Sequence, residues 1–234
     1  MGDLLLDLRR AARGLARSPF FTVSTVLILA LGLGANVALL AAARTLLFRP
    51  LPYADPDRLV RLHELDPSGG RRGVSLVNLL DWREQATSFS ALAACRLRTF
   101  ALASPDAPGD APGDAAVRVV GAGMVAGDLL AAVGLAPSAG RDFTESDQRD
   151  GSPGAVITDE LRRREWGERA DAVGASLLLN ERPFTVIGVL PPGFELPIGG
   201  RVPELYIPLI RADYGGSRTV RTLEAVARLA PGVD

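Results

Sequence analysis

The sequence predicts an α+β protein in which one N-terminal transmembrane helix precedes a mixed α+β extracytoplasmic domain. Residues 19–43 form an apolar run with no charged residue between Arg17 and Arg44. The following residues, roughly 185 in number, are enough for one core or two small ones, and they alternate short strand-like and helical stretches. Cys95 is the single cysteine, so an internal disulfide is excluded and packing alone must hold the domain together.

The apolar run has the length of a membrane span. At about 1.5 Å per residue, a helix over 19–43 exceeds the roughly 30 Å hydrocarbon core of a bilayer. The alternative is a cleaved secretory signal, for which 41–43 would supply a small-residue cleavage site. A signal's apolar region is about 7–15 residues long, and this run is longer and continues through 45–48. We therefore expect a retained helix over 19–48, and either interpretation sends the remainder across a membrane.

The flanking charges predict the orientation. The first 49 residues contain six Arg and two Asp, with four Arg before the apolar run and two flanking its end. This bias favours a cytoplasmic N-terminus. We expect residues 1–18 to be cytoplasmic or interfacial and residues 49–234 to be extracytoplasmic. The exterior part is expected to form two subdomains.

Residues 3–17 have an amphipathic, basic pattern. Leucines and alanines share one face, and the arginines lie largely elsewhere. This pattern favours a helix in the inner-leaflet interface with its cations near anionic headgroups. The predicted basic face comprises Arg9, Arg10, Arg13 and Arg17. An ordinary positive flank of the span is a compatible interpretation.

Small residues recur every four positions in the span. Ala30, Gly34, Ala38 and Ala42 share one helix face, which predicts close approach of a second helix. Asn36 would then be a hydrogen-bond donor to that neighbour. Small-xxx-small is a permissive pattern, so the alternative is that Ala and Gly are simply abundant here.

All 26 basic residues are arginine, and lysine is absent. A Walker A lysine, a Schiff-base lysine and a Ser-x-x-Lys pair are therefore excluded. Any nucleotide hydrolysis must come from a partner. The region after residue 49 contains 20 Arg and 25 acidic residues, so nucleic-acid binding has no electrostatic basis.

Strand pairs with intervening helices follow the span, which is typical of α+β domains. A hairpin is predicted across the loop that contains the tandem Ala-Pro-Gly-Asp repeat of 107–114, and the stretch 205–209 is predicted to be an edge strand. Thr158 or Asp159 is the expected N-cap of one helix. Strands are predicted at 59–65, 92–104, 115–121, 155–158, 176–180, 184–190, 205–209 and 222–229, and helices at 75–89, 124–133 and 159–167.

A G-x-G-x-x-A pattern at 121–126 has the glycine spacing of a dinucleotide-binding turn. Asp142 lies at roughly the distance of the acid such a fold needs, but no strand precedes it. We expect a tight strand-to-helix turn instead, and no cofactor.

The other candidate reactive groups lack partners. His63 is the only histidine, and a zinc site would need further imidazoles or thiols. A half-exposed strand histidine is therefore expected. Cys95 is expected to be packed rather than nucleophilic. Acids such as Asp142 and Glu145 are abundant, but no pair stands out for glycoside hydrolysis. We therefore expect no catalytic residue and no metal site.

Several consecutive stretches resemble one transporter family. They include the leader DLRRAARGLARSPFFT, the LALGLGAN of 29–36, the RPLPYADPDRLVRL of 49–62, LLDWREQATSFSALAA from Leu79, the GLAPSAGRDFT of 134–144, FTVIGVLPPGF from Phe184 and the terminal ARLAPGVD. Together they resemble the start of a MacB-like, FtsX-related ABC transporter permease, of the duplicated orphan permease branch. The resemblance covers nearly the whole chain.

The resemblance implies a bacterial inner (plasma) membrane location, a first transmembrane helix, a periplasmic core domain that is truncated here at its C-terminus, and further helices. It also implies a separate cytoplasmic ATP-binding subunit, a permease homodimer or a second permease half, and in some systems a periplasmic adaptor. The chain has one span and ends at Asp234, so we expect a fragment, a split gene product or a remnant. The main hypothesis is the N-terminal part of a permease that relays ATPase-driven motion for efflux or export. A single-span envelope binding or scaffold protein is the alternative, and an anchored envelope enzyme is a third hypothesis.

Overall fold

The computed structural model describes residues 19–47, 53, 55–104, 117–168, 171–194, 196, 202–210 and 216–233. The chain divides into two compact units, residues 1–51 and 52–234, which are described separately. The predicted basic face of Arg9, Arg10, Arg13 and Arg17 and the 107–114 repeat lie outside the described residues.

The described part of the first unit is one helix, α1, Pro19–Leu47. Its segment Pro19–Ala41 has a mean hydropathy of 2.2 and no buried residues, and it is long and apolar enough to cross a membrane. Ser24 and Thr25 donate their hydroxyl hydrogens to the carbonyls four residues earlier, each at 2.8 Å. These bonds satisfy the hydroxyls within the helix, as an apolar environment requires.

The second unit is a mixed α+β domain, which confirms the predicted fold class. Its described helices are α2 Leu76–Gln85, α3 Leu129–Val133, α4 Glu145–Asp150 and α5 Asp159–Trp166, with a 3₁₀ turn at Pro56–Arg58. Its described strands are β1 Leu59–Leu62, β2 Glu64–Leu65, β3 Arg71–Arg72, β4 Phe89–Ala103, β5 Arg118–Gly127, β6 Ala139–Gly140, β7 Gly154–Ile157, β8 Ser176–Leu179, β9 Arg182–Val189, β10 Leu205–Pro208 and β11 Glu224–Leu229.

Six of the described strands pair in a closed ring. The sheet has the order β1-β11-β4-β5-β10-β7-β9-β6, and β8 pairs with both β4 and β9. β8 therefore links the end of β4 back to β9 and closes the ring β4-β5-β10-β7-β9-β8, here called the strand ring. The short strands β2 and β3 form a separate hairpin. A closed ring leaves fewer strand edges free for pairing with other chains.

Three apolar clusters form the core. The cluster of the strand ring includes Leu102, Ile157 and Leu205, and α5 contributes Leu161 and Trp166 to it. A second cluster packs α3 against β4, β5 and β11 around the buried Tyr206. A third packs α2 against β4 and β11. The helices are thus held by burial of their apolar faces.

Local capping defines where three of these helices begin. The hydroxyls of Ser75 and Thr158 each accept a hydrogen bond at 3.2 Å from the backbone N–H three residues on, in α2 and α5. Thr158 is thus the N-cap of α5, which decides between the two predicted alternatives. Thr144 and Asp147 form a reciprocal capping box at the start of α4. Such caps satisfy backbone donors that the first helical turn leaves unpaired.

The predicted hairpin is confirmed, and two other element predictions are wrong. β4 and β5 pair antiparallel, with Ala93 opposite Gly127 at one end and Leu102 opposite Arg118 at the other. The predicted helix over 124–133 is wrong in its first half, because β5 continues to Gly127 and α3 begins at Leu129. The predicted edge strand is β10, which is fully buried between β5 and β7. Pro208 ends β10, so its missing N–H does not interrupt the strand.

Candidate functional site

The small-residue face of α1 is exposed from Ala30 to Ala38. A Cβ added at Gly34 would meet nothing within 4 Å. The amide of Asn36 donates a hydrogen bond to the carbonyl of Gly32 at 2.9 Å. One amide hydrogen is thus used within the helix, while an amide group carries a second hydrogen and an acceptor oxygen. The role of Ala30, Gly34, Asn36, Ala38 and Ala42 in helix packing stays a prediction.

His63 lies in the break between β1 and β2 and is exposed, so the expectation of a half-exposed strand residue is wrong in detail. Within the described ranges there is no group of three or more His, Cys, Asp or Glu side chains that could hold a metal ion. The next residue, Glu64, is buried.

Cys95 is buried in β4, with 1% of its surface exposed. Burial, with a smaller contribution from the charge of Glu224, raises the pKa of the thiol to about 12. The thiolate is the nucleophilic form of cysteine, so this environment suppresses reactivity. The expectation that Cys95 is packed rather than nucleophilic is confirmed.

The glycines of the G-x-G pattern lie inside strand β5, not in a strand-to-helix turn, which corrects the expected turn. A Cβ on Gly123 would lie 2.6 Å from Cδ1 of Tyr206 and 2.9 Å from Sγ of Cys95. Gly123 therefore allows the Tyr206 ring to pack against the sheet. Its backbone role differs from that of a phosphate-binding glycine, which lies at a helix N-terminus.

The acidic residues near Asp142 stabilise the local fold. Asp142 accepts hydrogen bonds from the backbone of Phe143 at 2.7 Å and of Leu130 at 3.2 Å, and burial raises the pKa of its carboxyl group. Glu145 is exposed in the first turn of α4 and forms a salt bridge with Arg149 at 3.3 Å. The two carboxylates have separate partners and do not form a pair.

A buried carboxylate at Glu64 connects β2, α2 and the segment before β11. Its oxygen Oε1 accepts hydrogen bonds from the backbone of Ser75 and the amide of Asn78, each at 2.7 Å, and Oε2 forms a salt bridge with Arg221 at 2.5 Å. Burial raises the pKa of Glu64, but these hydrogen bonds and the Arg221 charge outweigh it and leave the pKa below its usual 4.5. Sequence reasoning missed this contact, because its partners lie up to 157 residues apart and share no motif.

An apolar N-terminal helix followed by a mixed α+β domain of this topology fits a membrane protein with an extracytoplasmic segment. The sequence profile of the MacB-like periplasmic core domain matches residues 22–234. The chain therefore belongs to the MacB-like periplasmic core domain family, whose members are domains of ABC transporter permeases. The resemblance inferred from the sequence motifs is confirmed.

Solved structures share this fold. The extracellular domain of the noncanonic ABC-type transporter YknZ from Gram-positive bacteria is 12% identical, with a TM-score of 0.52 over 74% of this chain and 84% of that chain. The periplasmic region of MacB from Actinobacillus actinomycetemcomitans is 14% identical, with a TM-score of 0.52 over 76% and 77%. A domain of a putative permease protein from Porphyromonas gingivalis is 19% identical, with a TM-score of 0.55 over 78% and 77%. At these identities the likeness shows the fold alone.

A curated relative is the pyoverdine export ATP-binding/permease protein PvdT of Pseudomonas syringae pv. syringae (strain B728a). It is 39% identical over 51 residues, which are 22% of this chain. The match spans 8% of the length of that relative.

Proposed function

We propose that this chain provides the first transmembrane helix and the periplasmic core domain of an ABC-type permease. In this proposal the domain relays motion that a separate cytoplasmic ATPase drives during efflux or export. The carrying observation is the family match over residues 22–234, which includes both the apolar helix and the domain. Because a Walker A motif requires a lysine and the sequence has none, the given residues contain no such motif, and the proposal assigns ATP hydrolysis to a separate subunit.

The construction of the domain supports a mechanical role. The strand ring and the salt bridge between the buried Glu64 and Arg221 connect segments that are distant in the sequence. Packed interiors of this kind have low compressibility and transmit displacement rather than absorbing it.

The first test is purification of the native protein from its membranes. A tag at the native locus allows intact-mass measurement and identification of the proteins that co-purify. We expect an ATP-binding subunit in stoichiometric amount and a product that contains further transmembrane helices. An unrelated single-span membrane protein with the same tag, at matched abundance, controls for nonspecific recovery.

Recovery of a product of this length without an ATP-binding subunit contradicts the proposal and supports an anchored envelope binding or scaffold protein. A second measurement tests the relay itself. Spin labels on Thr222→Cys, one on each copy in the purified complex, should change their separation between the ATP-bound and nucleotide-free states. An unchanged distance distribution contradicts mechanical coupling through this domain.

A further inference from the structure

The strand ring has a cavity of about 730 Å³ at one of its mouths, here called the mouth cavity. Segments of β4, β5, β9 and β10 surround it. Its described lining includes Phe100, Met124 and Phe184, which are partly buried and pack against the core of the ring. The cavity therefore has an apolar floor.

The cavity exists because β4 changes partners along its length. One edge of β4 pairs with β11 as far as Cys95 and with β8 from Leu102. Among the described strands, none pairs with the intervening segment 96–101 on that edge, although β5 pairs with it on the other. The strand ring is consequently open at this point.

Arginines occupy the positions at this opening. Side chains alternate between the faces of a strand, so Arg96 and Arg98 share the face of Phe100 and the buried Leu102. The inward face of β4 thus continues from apolar core into two cations. Both arginines line the mouth cavity.

A third arginine, Arg182, lines the cavity from the opposite strand, at the start of β9. The preceding turn holds it in place, because Asn180 accepts a hydrogen bond from the backbone of Ala101 at 2.8 Å and donates one to the carbonyl of Ala101 at 2.9 Å. Asn180 and Glu181 both have positive φ, as a tight two-residue hairpin turn requires. The three cations therefore project from anchored backbone.

The described lining of the mouth cavity contains no aspartate or glutamate. Within the part of the chain that the structure describes, no carboxylate forms a salt bridge with Arg98 or Arg182. Inward-pointing charges also prevent strand edges from pairing with other chains. Protection of a strand edge requires no concave apolar floor, whereas a ligand site requires both the floor and the charged groups.

We propose that the mouth cavity binds a small amphiphile with one apolar chain and an anionic head, a carboxylate or a phosphate. The guanidinium groups of Arg98 and Arg182 would bind the head by charge-assisted, bidentate hydrogen bonds, and the floor would cover the chain. The cavity volume lies in the range of sites for small molecules, roughly 300–1,000 Å³. This proposal does not depend on the proposed transport function.

Photolabelling of the full chain in phosphatidylcholine nanodiscs tests the site. The probe is dodecanoate carrying a diazirine near the end of its chain, and mass spectrometry locates the labelled peptides. We expect labelling of the peptides that contain Phe100, Met124 or Phe184. An excess of unlabelled dodecanoate should compete, and dodecanamide, which has the same chain without the charge, should not.

The double variant Arg98→Gln/Arg182→Gln should lower this labelling at least about tenfold, since each charged hydrogen bond contributes strongly to affinity. Arg71→Gln, an exposed arginine of the β2–β3 hairpin, is the matched control and should leave it unchanged. Met124→Trp should block labelling by filling the floor while it keeps every cation. Labelling confined to α1, or equal labelling of the double variant and Arg71→Gln, overturns the proposal.

Nanodiscs that contain roughly one phosphatidylglycerol in three lipids distinguish two sources of the ligand, a bilayer lipid and a free amphiphile. If dodecanoate labelling is lost in these discs and returns only when the anionic lipid is removed, the site is assigned to a bilayer lipid. Unchanged labelling assigns it to a free amphiphile. In both kinds of disc dodecanamide should not reduce labelling by the dodecanoate probe. If it does, the requirement for an anionic head is overturned.

Discussion

Arg141 donates two hydrogen bonds to the carboxylate of Asp147, at 2.6 Å to Oδ2 and 3.3 Å to Oδ1. The same carboxylate accepts from the backbone of Thr144 at 2.8 Å and closes the capping box of α4. These partners, the Arg141 side chain first, hold the pKa of Asp147 well below its usual 3.8. The contact joins the segment after β6 to the start of α4.

Asp147→Asn should lower the free energy of unfolding by about 1–2 kcal/mol at pH 7, the typical cost of a lost cap and a charged hydrogen bond. Because the pKa of Asp147 is lower in the folded state, its stabilisation is present above pH 3.8 and is lost as the pH falls below that value. The difference between the two proteins should therefore shrink as the pH falls from about 4 to about 2. Urea denaturation in detergent, followed by the fluorescence of Trp82 and Trp166, measures it.

Glu145→Gln is the matched control for this prediction. Glu145 and Arg149 form a pair in which both side chains are more than half exposed. Exposed pairs contribute little, so the change should be within about 0.5 kcal/mol. Equal losses in the two variants contradict a specific role for the Asp147 contact.

Glu64→Gln should destabilise the domain more than Glu224→Gln. The Glu64 carboxylate is buried, accepts two hydrogen bonds and forms a salt bridge with Arg221, so its replacement should cost about 1–3 kcal/mol. Glu224 pairs with Arg61 at 2.9 Å in an exposed position, and its replacement should cost at most about 1 kcal/mol. Denaturation midpoints of the two variants at pH 7 provide the comparison, and a reversed order contradicts it.

Cys95 should react with Ellman's reagent at pH 8 at least about 100-fold more slowly in the native protein than in urea. Its thiol is buried and has a pKa of about 12, so the thiolate is scarce and the reagent has no access. The exposed position of Thr222 supplies a control, since Thr222→Cys should add one rapidly reacting thiol. Rapid modification of both thiols contradicts the packing of Cys95.

Gly123→Ala should destabilise the domain by about 1–3 kcal/mol, because its Cβ would overlap the ring of Tyr206. Gly121→Ala is the control from the same motif. There the nearest atom to a Cβ is Cα of Pro203 at 3.7 Å, an ordinary contact, so the change should be within about 0.5 kcal/mol. Thermal unfolding followed by circular dichroism distinguishes them, and similar melting temperatures contradict the assignment.

Gly34→Leu should reduce self-association of α1 several-fold if the small-residue face packs against another helix. Gly32→Leu is the matched control on a different face. Within α1 a Cβ at either glycine meets nothing within 4 Å, so the helix itself accommodates both changes. A two-hybrid reporter of helix association in membranes measures the effect, and equal signals for the two variants indicate that the pattern is compositional.

Local signals predicted a large part of this fold. Hydropathy predicted α1, because membrane-spanning character is a property of one continuous segment. The β4–β5 hairpin and the Thr158 cap were also predicted, since each depends on residues close in the sequence. The stretches shared with MacB-like permeases predicted the family that the profile match confirms.

The amino-acid sequence by itself thus determined the apolar helix, the α+β class and most strand positions, all of which follow from the periodicity and chemistry of neighbouring residues. Only the tertiary structure decided that β10 is central, that β8 closes the strand ring and that Glu64 meets Arg221. The mouth cavity lies where β4 changes its partner from β11 to β8. Strand partners and buried ion pairs depend on packing between distant segments, and the burial that selects them leaves no short-range pattern.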